Sequence, residues 1–324
     1  MTGTPLPPQD ARPHTRARTQ LLLGLLPVLL VGVALLVFLA VRLPETQAPL
    51  AAADATAGAT VVQDGLDPAG RGVEVAFTDA GGTERTGLLV LRTALDVATD
   101  TPVTVQYDPA ALGDGANPVY ADGDAAHGAV GDVVFGLVLV VAVLLVVLAL
   151  TGWRLLTRSR LARRPAVAVT ATHLVARRGL LVRSWLELVT PAGVRWLPVY
   201  WAPELDRLTP DSPATVHGDP SAASLLLPVV AGQQLWPSGR VRRSAPRGEV
   251  RQAPVDAEAG PVGMARQVRG DVVVAVLAPV LGLLWAYVDG SGAAGFAVAT
   301  ALGAAVLFWL PQLLGSDPRA VVRD

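Results

Sequence analysis

Residues 101–109 read TPVTVQYDP, and residues 212–220 read SPATVHGDP. The two phrases lie 111 residues apart, and sliding the chain against itself by that interval lays Glu74–Pro109 over Trp185–Pro220 without a gap. Gly82 falls on Gly193, Asp100 on Asp211, Pro102 on Pro213, Thr104 on Thr215, Val105 on Val216, Asp108 on Asp219 and Pro109 on Pro220. These coincidences fall where turn chemistry is demanding. DAGG (79–82) and TPAG (190–193) read as turns between two alternating runs, with glycine supplying positive φ. Asp-Pro then ends a strand, because proline has no N–H to give to the ladder. Asp108, Pro109, Asp219 and Pro220 thus form a turn-and-strand motif. Two readings stand: a duplicated unit, or strand–turn–strand segments that converge on the same residues. Either makes each segment a small β domain.

Outward from these segments the chain is strongly apolar. Hydrophobic residues make up 52% of the 324, a membrane-protein composition. Four stretches are predicted to span: 21–41, 133–153, 272–288 and 293–314. The 21 residues of the first rise about 32 Å as a helix, close to the hydrocarbon thickness. The third and fourth are separated by little more than DGSG (289–292), which predicts a tight helical hairpin. Pro27 and Pro279 fall inside spans, where proline is better tolerated than in water-soluble helices. The first two spans begin within a residue of the same 111-residue interval, so the repeating unit reads as one helix followed by one β domain.

All 26 basic residues are arginine, a bias expected of a GC-rich bacterial genome. Residues 43–129 hold 3 Arg against 13 acids, whereas 154–269 hold 17 Arg against 8. Arginines cluster at 12–18, 154–164 and 266–269, each at one end of a span. The positive-inside rule then places both termini in the cytoplasm, residues 42–129 outside and 154–236 inside. The full expected plan is a cytoplasmic tail (1–20), a span (21–41), an outer β domain (42–129) and a second span (133–153). An inner β domain (154–236), a basic flexible linker (237–269), the two paired spans and a cytoplasmic tail (315–324) complete it. A cleaved signal peptide ending near Ala51–Ala53 competes with the first span, but the apolar run exceeds the usual 7–15 residues. The expected fold class is an α+β integral membrane protein: four transmembrane helices and two small, mostly antiparallel β domains on opposite sides of the bilayer.

The segment from Gly58 to the second helix resembles an uncharacterised family of bacterial membrane proteins, a domain-of-unknown-function family. The likeness rests on the start at Gly58–Val61, on VEVAFTDAGG (73–82), and on VTVQYDP (103–109) before the returning helix. It implies an extracytoplasmic β domain between two helices, and carries no activity or site residues with it. The second copy departs from the pattern, with Gly218 where Tyr107 stands.

Chemistry is sparse. The chain has no cysteine, which excludes disulfides, thiolate metal sites and cysteine nucleophiles. His14, His127, His173 and His217 lack metal-ligand spacing, so no metal and no cofactor is expected. Asp114, Asp122 and Asp124 have a passing likeness to a calcium loop without the closing glutamate. There is no G-x-S-x-G, and the predicted spans contain no Asp, Glu, Lys, Arg or His, which argues against an enzyme or an autonomous pump. Gly295, Ala299 and Gly303 form a small-residue face for helix packing. Trp196, Tyr200 and Trp201 alternate along a strand, so at least one belongs to a core. Arg240, Arg242, Arg243, Arg247 and Arg251 are candidate contacts to anionic lipid, with nucleic acid a poorer fit because no recognition helix or stacking platform accompanies them. The function expected is a non-catalytic scaffold, accessory or envelope-sensing subunit of a bacterial plasma membrane. Its partners would be the bilayer and an unidentified protein, with no nucleic acid. The alternative is a component of a membrane transporter or membrane-embedded enzyme.

Overall fold

The computed structural model describes residues 14–319 except 67, 259 and 261. Helix α1 (Thr15–Ala52) leads into five strands: β1 (Ala55–Gln63), β2 (Gly72–Thr78), β3 (Glu84–Val90), β4 (Pro102–Tyr107) and β5 (Asn117–Tyr120). Helix α2 (Ala125–Ser159) leads into β6 (Ala166–Arg178), β7 (Leu181–Thr190) and β8 (Gly193–Val199). A short α3 (Pro203–Asp206) precedes β9 (Ser212–His217), β10 (Leu227–Val230), β11 (Gln233–Gln234) and β12 (Glu249–Gln252). The chain ends with α4 (Met264–Ala275), α5 (Ala278–Asp289) and α6 (Gly292–Leu314). Four helical segments, with α4 and α5 taken together, are long and apolar enough to cross a membrane. The chain divides into two compact units, residues 33–143 and residues 1–32 with 144–324.

In the first unit the five strands close into a barrel of order β1-β2-β3-β5-β4. Every neighbouring pair is antiparallel except β3 with β5, which is parallel. This is the connectivity of an OB-type barrel. Alternation along the strands turns Val61, Val73, Val75, Phe77, Leu89, Val105, Tyr107 and Val119 inward as one core. At Gly87 the parallel strand comes so close that a Cβ would lie 2.6 Å from Val119. Closure of the barrel therefore needs glycine at that position. Beyond the barrel, Asp124 starts α2 by accepting the amides of Ala121 and His127 at 3.0 and 2.8 Å.

The second unit carries a seven-stranded sheet of order β11-β10-β9-β6-β7-β8, with β12 on β6. Its core gathers Leu186, Leu188, Leu197, Val199, Trp201, Leu205, Val216 and Leu226. A shift of 111 residues carries β1 onto 166–174, β2 onto 183–189, β3 onto 195–201, β4 onto 213–218 and β5 onto 228–231. Each range overlaps one of β6 to β10 in turn. The same shift carries α1 onto 126–163, the extent of α2 with the 3-10 turn Leu161–Arg163. Among the described residues only Asp100, Asp211 and Ala231 combine a side chain with positive φ, and the first two lie 111 apart. Gly82 and Gly193 share positive φ at the same interval.

The side chains of these turns also correspond. Asp79 accepts the Gly81 amide at 2.9 Å where Thr190 accepts that of Ala192 at 3.1 Å. Thr101 donates to the Ala98 carbonyl at 2.6 Å, and Ser212 to that of Thr209 at 2.7 Å. Asp108 accepts the Ala110 amide and Asp219 that of Ser221, both at 2.8 Å. The Thr83 amide, with Arg85 and the Gly81 amide behind it, lowers the pKa of Asp79, and the Ser221 hydroxyl, then its amide, lowers that of Asp219.

The two sheets differ in how they close. The partners of β3 and β5 by position, β8 and β10, are not joined directly. Residues 235–242 run between them: the Leu235 amide bonds Pro228, and Tyr200, Ser238, Trp196 and Arg242 pair this segment with β8. The expected flexible linker at 237–269 is therefore corrected. Its first residues are hydrogen-bonded to the sheet, and β12 pairs Glu249–Gln252 with Leu174–Arg177.

The helices differ from expectation in length and continuity. Helices α1 and α2 extend well past residues 21–41 and 133–153, taking arginines into their turns. The third span breaks between α4 and α5. Pro279 has no N–H for the carbonyl four residues earlier, Ala275, and α4 ends on that residue. The hairpin at 289–292 forms as expected, with Gly290 and Gly292 at positive φ. A Cβ on Gly282 would clash with the Thr300 hydroxyl and lie 3.0 Å from the Phe296 carbonyl, so α5 and α6 pack closely at Gly282. Gly303 faces Ala278 with ordinary spacing. Gly282→Val is expected to cost about 1–3 kcal/mol by overpacking. Gly303→Ala, measured beside it by thermal unfolding in detergent, should cost much less.

Candidate functional site

The buried polar side chains of the second unit concentrate where the helix ends meet the sheet. Arg154 and Arg158 follow the apolar run of α2 and stand four residues apart, on one helix face with the buried Leu161. Trp153 and Leu156 on the other side of the helix are 66% and 60% exposed. The Arg154 Nη1 donates to three acceptors from three elements: the Tyr200 hydroxyl at 3.2 Å, the Ser238 carbonyl at 2.8 Å and the Leu313 carbonyl. Leu313 lies in the last turn of α6, where carbonyls have no helical partner and a cation is favoured by the helix dipole. Tyr200, itself fully buried, also donates to that carbonyl at 2.8 Å.

Two more guanidiniums meet the same short segment. Arg158 Nε donates to the Pro237 carbonyl at 3.2 Å, and Arg183 Nη2 to the Ser238 hydroxyl at 3.0 Å. The segment fits tightly: a Cβ on Gly315 would lie 2.6 Å from that of Ser238, and one on Gly239 2.8 Å from Pro198. Arg183 and Arg242 both stack on Trp185, at 5.5 and 5.2 Å. Among the described residues, no carboxylate forms an ion pair with Arg154, Arg158 or Arg183. Burial lowers the Arg183 pKa to about 10, helped by the charges of Arg154 and Arg242. Burial raises that of Tyr200, against the pull of the surrounding arginines.

A second cluster is charge-balanced. Arg319 pairs with Asp206 at 2.9 Å and stacks on Trp201 at 5.4 Å, while Arg16 stacks on Trp201 at 4.6 Å. Asp317 accepts from the Ser184 hydroxyl at 2.8 Å, and its amide donates to Val182. Gln267 bridges Asp271 and Ser316 at 2.9 and 2.7 Å. His14, in the N-terminal tail segment, is 2% exposed and lies beside the Trp236 amide. His173 is buried with Nδ1 3.0 Å from the Leu205 carbonyl, next to a cavity of about 20 Å³ that Arg251 also lines. Such a cavity has room for about one water.

The residues picked out from sequence scatter. Arg240, Arg242, Arg243, Arg247 and Arg251 are all exposed, but two are tied into the fold, Arg242 by Trp185 and Trp196 and Arg251 by β12. Asp108 and Asp219 close turns, and the Pro220 carbonyl accepts from Arg195 at 3.1 Å. Tyr200 and Trp201 both belong to the core, while Trp196 is half-buried and donates to Glu187 at 2.9 Å. His127 sits 3.0 Å from Asp124, and His217 3.0 Å from the Arg164 carbonyl. Among the described residues, no group of three potential ligands converges as a metal site. Sequence reasoning misses Arg183 and Ser238, and reads Tyr200 only as a member of an aromatic group. In sequence Arg154 and Arg158 read as orientation charges, although their four-residue spacing just past a span places them on one helix face. On the barrel, a depression of about 910 Å³ lies over Thr60, Thr78, Thr86, Thr104 and Arg85.

His14 supplies a pH test. Burial, then the charges of Arg16 and Arg18, lowers its pKa from 6.5 to about 4. Its proton is therefore bound more tightly in the unfolded chain, so the contribution is full above pH 6.5 and is lost as pH falls towards 4. The expected slope is about 1.4 kcal/mol per pH unit in that window. His14→Gln should reduce the fall in thermal stability between pH 6.5 and 4.5, leaving the part that His173, shifted in the same direction by its own burial, contributes. No protein-family model, curated protein or solved structure matches the chain.

Proposed function

We propose that the chain is a non-catalytic scaffold or accessory subunit of a bacterial plasma membrane. In this reading it is built from a duplicated helix-and-β unit, with the barrel outside and the seven-stranded sheet in the cytoplasm. Both termini are then cytoplasmic. The single observation that carries the orientation is the arginine distribution, with 3 Arg against 13 acids over 43–129 and 17 against 8 over 154–269. The equal spacing of helices, strands and turns supports duplication over convergence. Convergent turns have no reason to keep one interval through a helix and five strands. Attachment of the sheet to the helix ends supports a coupling role, because a partner bound to the sheet would bear on α2 and α6 directly. The exposed barrel would present the outer surface to a second partner.

Orientation is directly testable because the chain has no cysteine. Single replacements at exposed positions, Thr104→Cys on the barrel and Arg178→Cys on the sheet, give two reporters. A membrane-impermeant maleimide should label Cys at 104 in intact cells, and Cys at 178 only after permeabilisation. The opposite order would reverse the orientation, and labelling of both in intact cells would remove the two-sided arrangement. Crosslinking in cells, followed by identification of what stays attached, tests the scaffold role.

A further inference from the structure

We propose that Arg154, Arg158 and Arg183 form a binding site for a phosphate group, carried either by a lipid headgroup or by free phosphate. The inference goes beyond the scaffold reading and does not depend on which side of the membrane the site faces.

Charge balance is the first argument. Three guanidiniums converge on Pro237–Ser238, Arg158 is 6% exposed, and a fourth cation, Arg242, shares Trp185 with Arg183. Buried charges in proteins are paired or bound to a counter-ion, since removing an ion from water costs several kcal/mol after relaxation. Here the partners are carbonyls, hydroxyls and a ring face, which carry no formal negative charge. The neighbouring cluster shows how this same unit balances a cation when carboxylates are supplied: Arg319 has Asp206 and Asp256. The contrast marks the three-arginine group as one whose anion comes from outside the chain.

Donor geometry is the second argument. Arg154 spends one nitrogen, Nη1, on all three of its acceptors, and among the described residues its Nε and Nη2 have no hydrogen-bond partner. Arg183 uses Nη2, and its buried Nε is likewise unpartnered. A planar fork with free N–H groups is the geometry that grips a phosphate through parallel, charge-assisted bonds.

Location is the third. Arg154 comes directly after an apolar run whose Trp153 is exposed, at the helix end where aromatic and basic residues meet lipid headgroups. A lipid phosphate therefore lies within reach of the site without entering the hydrocarbon.

The test uses the full chain in dodecyl maltoside, a detergent without phosphate. Two probes are titrated separately: phosphatidylglycerol, and inorganic phosphate against chloride at equal ionic strength. Binding is read by native mass spectrometry and by the rise in Tm. A response to phosphatidylglycerol alone supports the site with a lipid source, and a response to inorganic phosphate supports it with a soluble one. Arg158→Gln and Arg183→Gln should each weaken the responding probe by about tenfold, the loss of one charge-assisted contact. Arg178→Gln, an exposed arginine elsewhere on the sheet, should leave it unchanged. If either glutamine variant fails to fold, as judged by gel filtration and circular dichroism, Arg158→Lys replaces it. That variant keeps the charge but loses the fork, and should weaken binding by a smaller factor. A folded wild type that responds to neither probe overturns the proposal, as does a response that all the arginine variants share.

Discussion

The architecture of the second unit hangs on one nitrogen. Arg154 Nη1 joins the end of α2 to Tyr200 beyond β8, to Ser238 in the segment that bridges the sheet, and to the last turn of α6. Without Arg154 the Ser238 carbonyl would lose its donor, and leaving a buried acceptor unsatisfied costs more than a hydrogen bond ordinarily contributes. The sheet is consequently not a domain on a tether. Arg158, Arg183, Asp317 and Arg319 extend the same attachment along the helix ends, and aromatic faces at Trp185 and Trp201 carry the guanidinium planes.

Much of this was legible in the residues, and the part that was not has a physical reason. Spans, the hairpin at 289–292 and the strands around TPVTVQYDP follow from local rules: apolar length, glycine at positive φ, proline ending a ladder. Those rules act within a few residues, so they were visible without the fold. Closure of the barrel by β3 against β5 depends on Gly87 meeting Val119, a contact between distant positions that no local pattern encodes. The break at Val276–Leu277 is partly legible, because Pro279 lies in the span and leaves the carbonyl of Ala275 without its helical donor. The arginine cluster was hidden for a different reason. Arginine near the end of a span is so commonly an orientation charge that its pairing with a serine 84 residues on was not suspected. Nothing in the tail sequence announces that His14 is buried beside Trp236.

In our reading the two β segments descend from one unit, and the differences between them carry the chemistry. Turns keep their interval and their side-chain bonds, because Asp100 and Asp211 must both support positive φ. Closure is where they part. The barrel seals itself through a parallel pair, whereas the sheet admits residues 235–242 between its edges, and that inserted run brings Pro237 and Ser238 to the arginines. Opening one copy of the fold thus made room for the polar contact that fastens it to the helices.

Hydrogen–deuterium exchange of Arg154→Met beside the wild type, in the same detergent, tests the attachment most directly. The account predicts that amides of Tyr200, Ser238 and residues 313–317 lose protection together, while those of the five-stranded barrel keep theirs. Unchanged protection across those segments in the variant would contradict it.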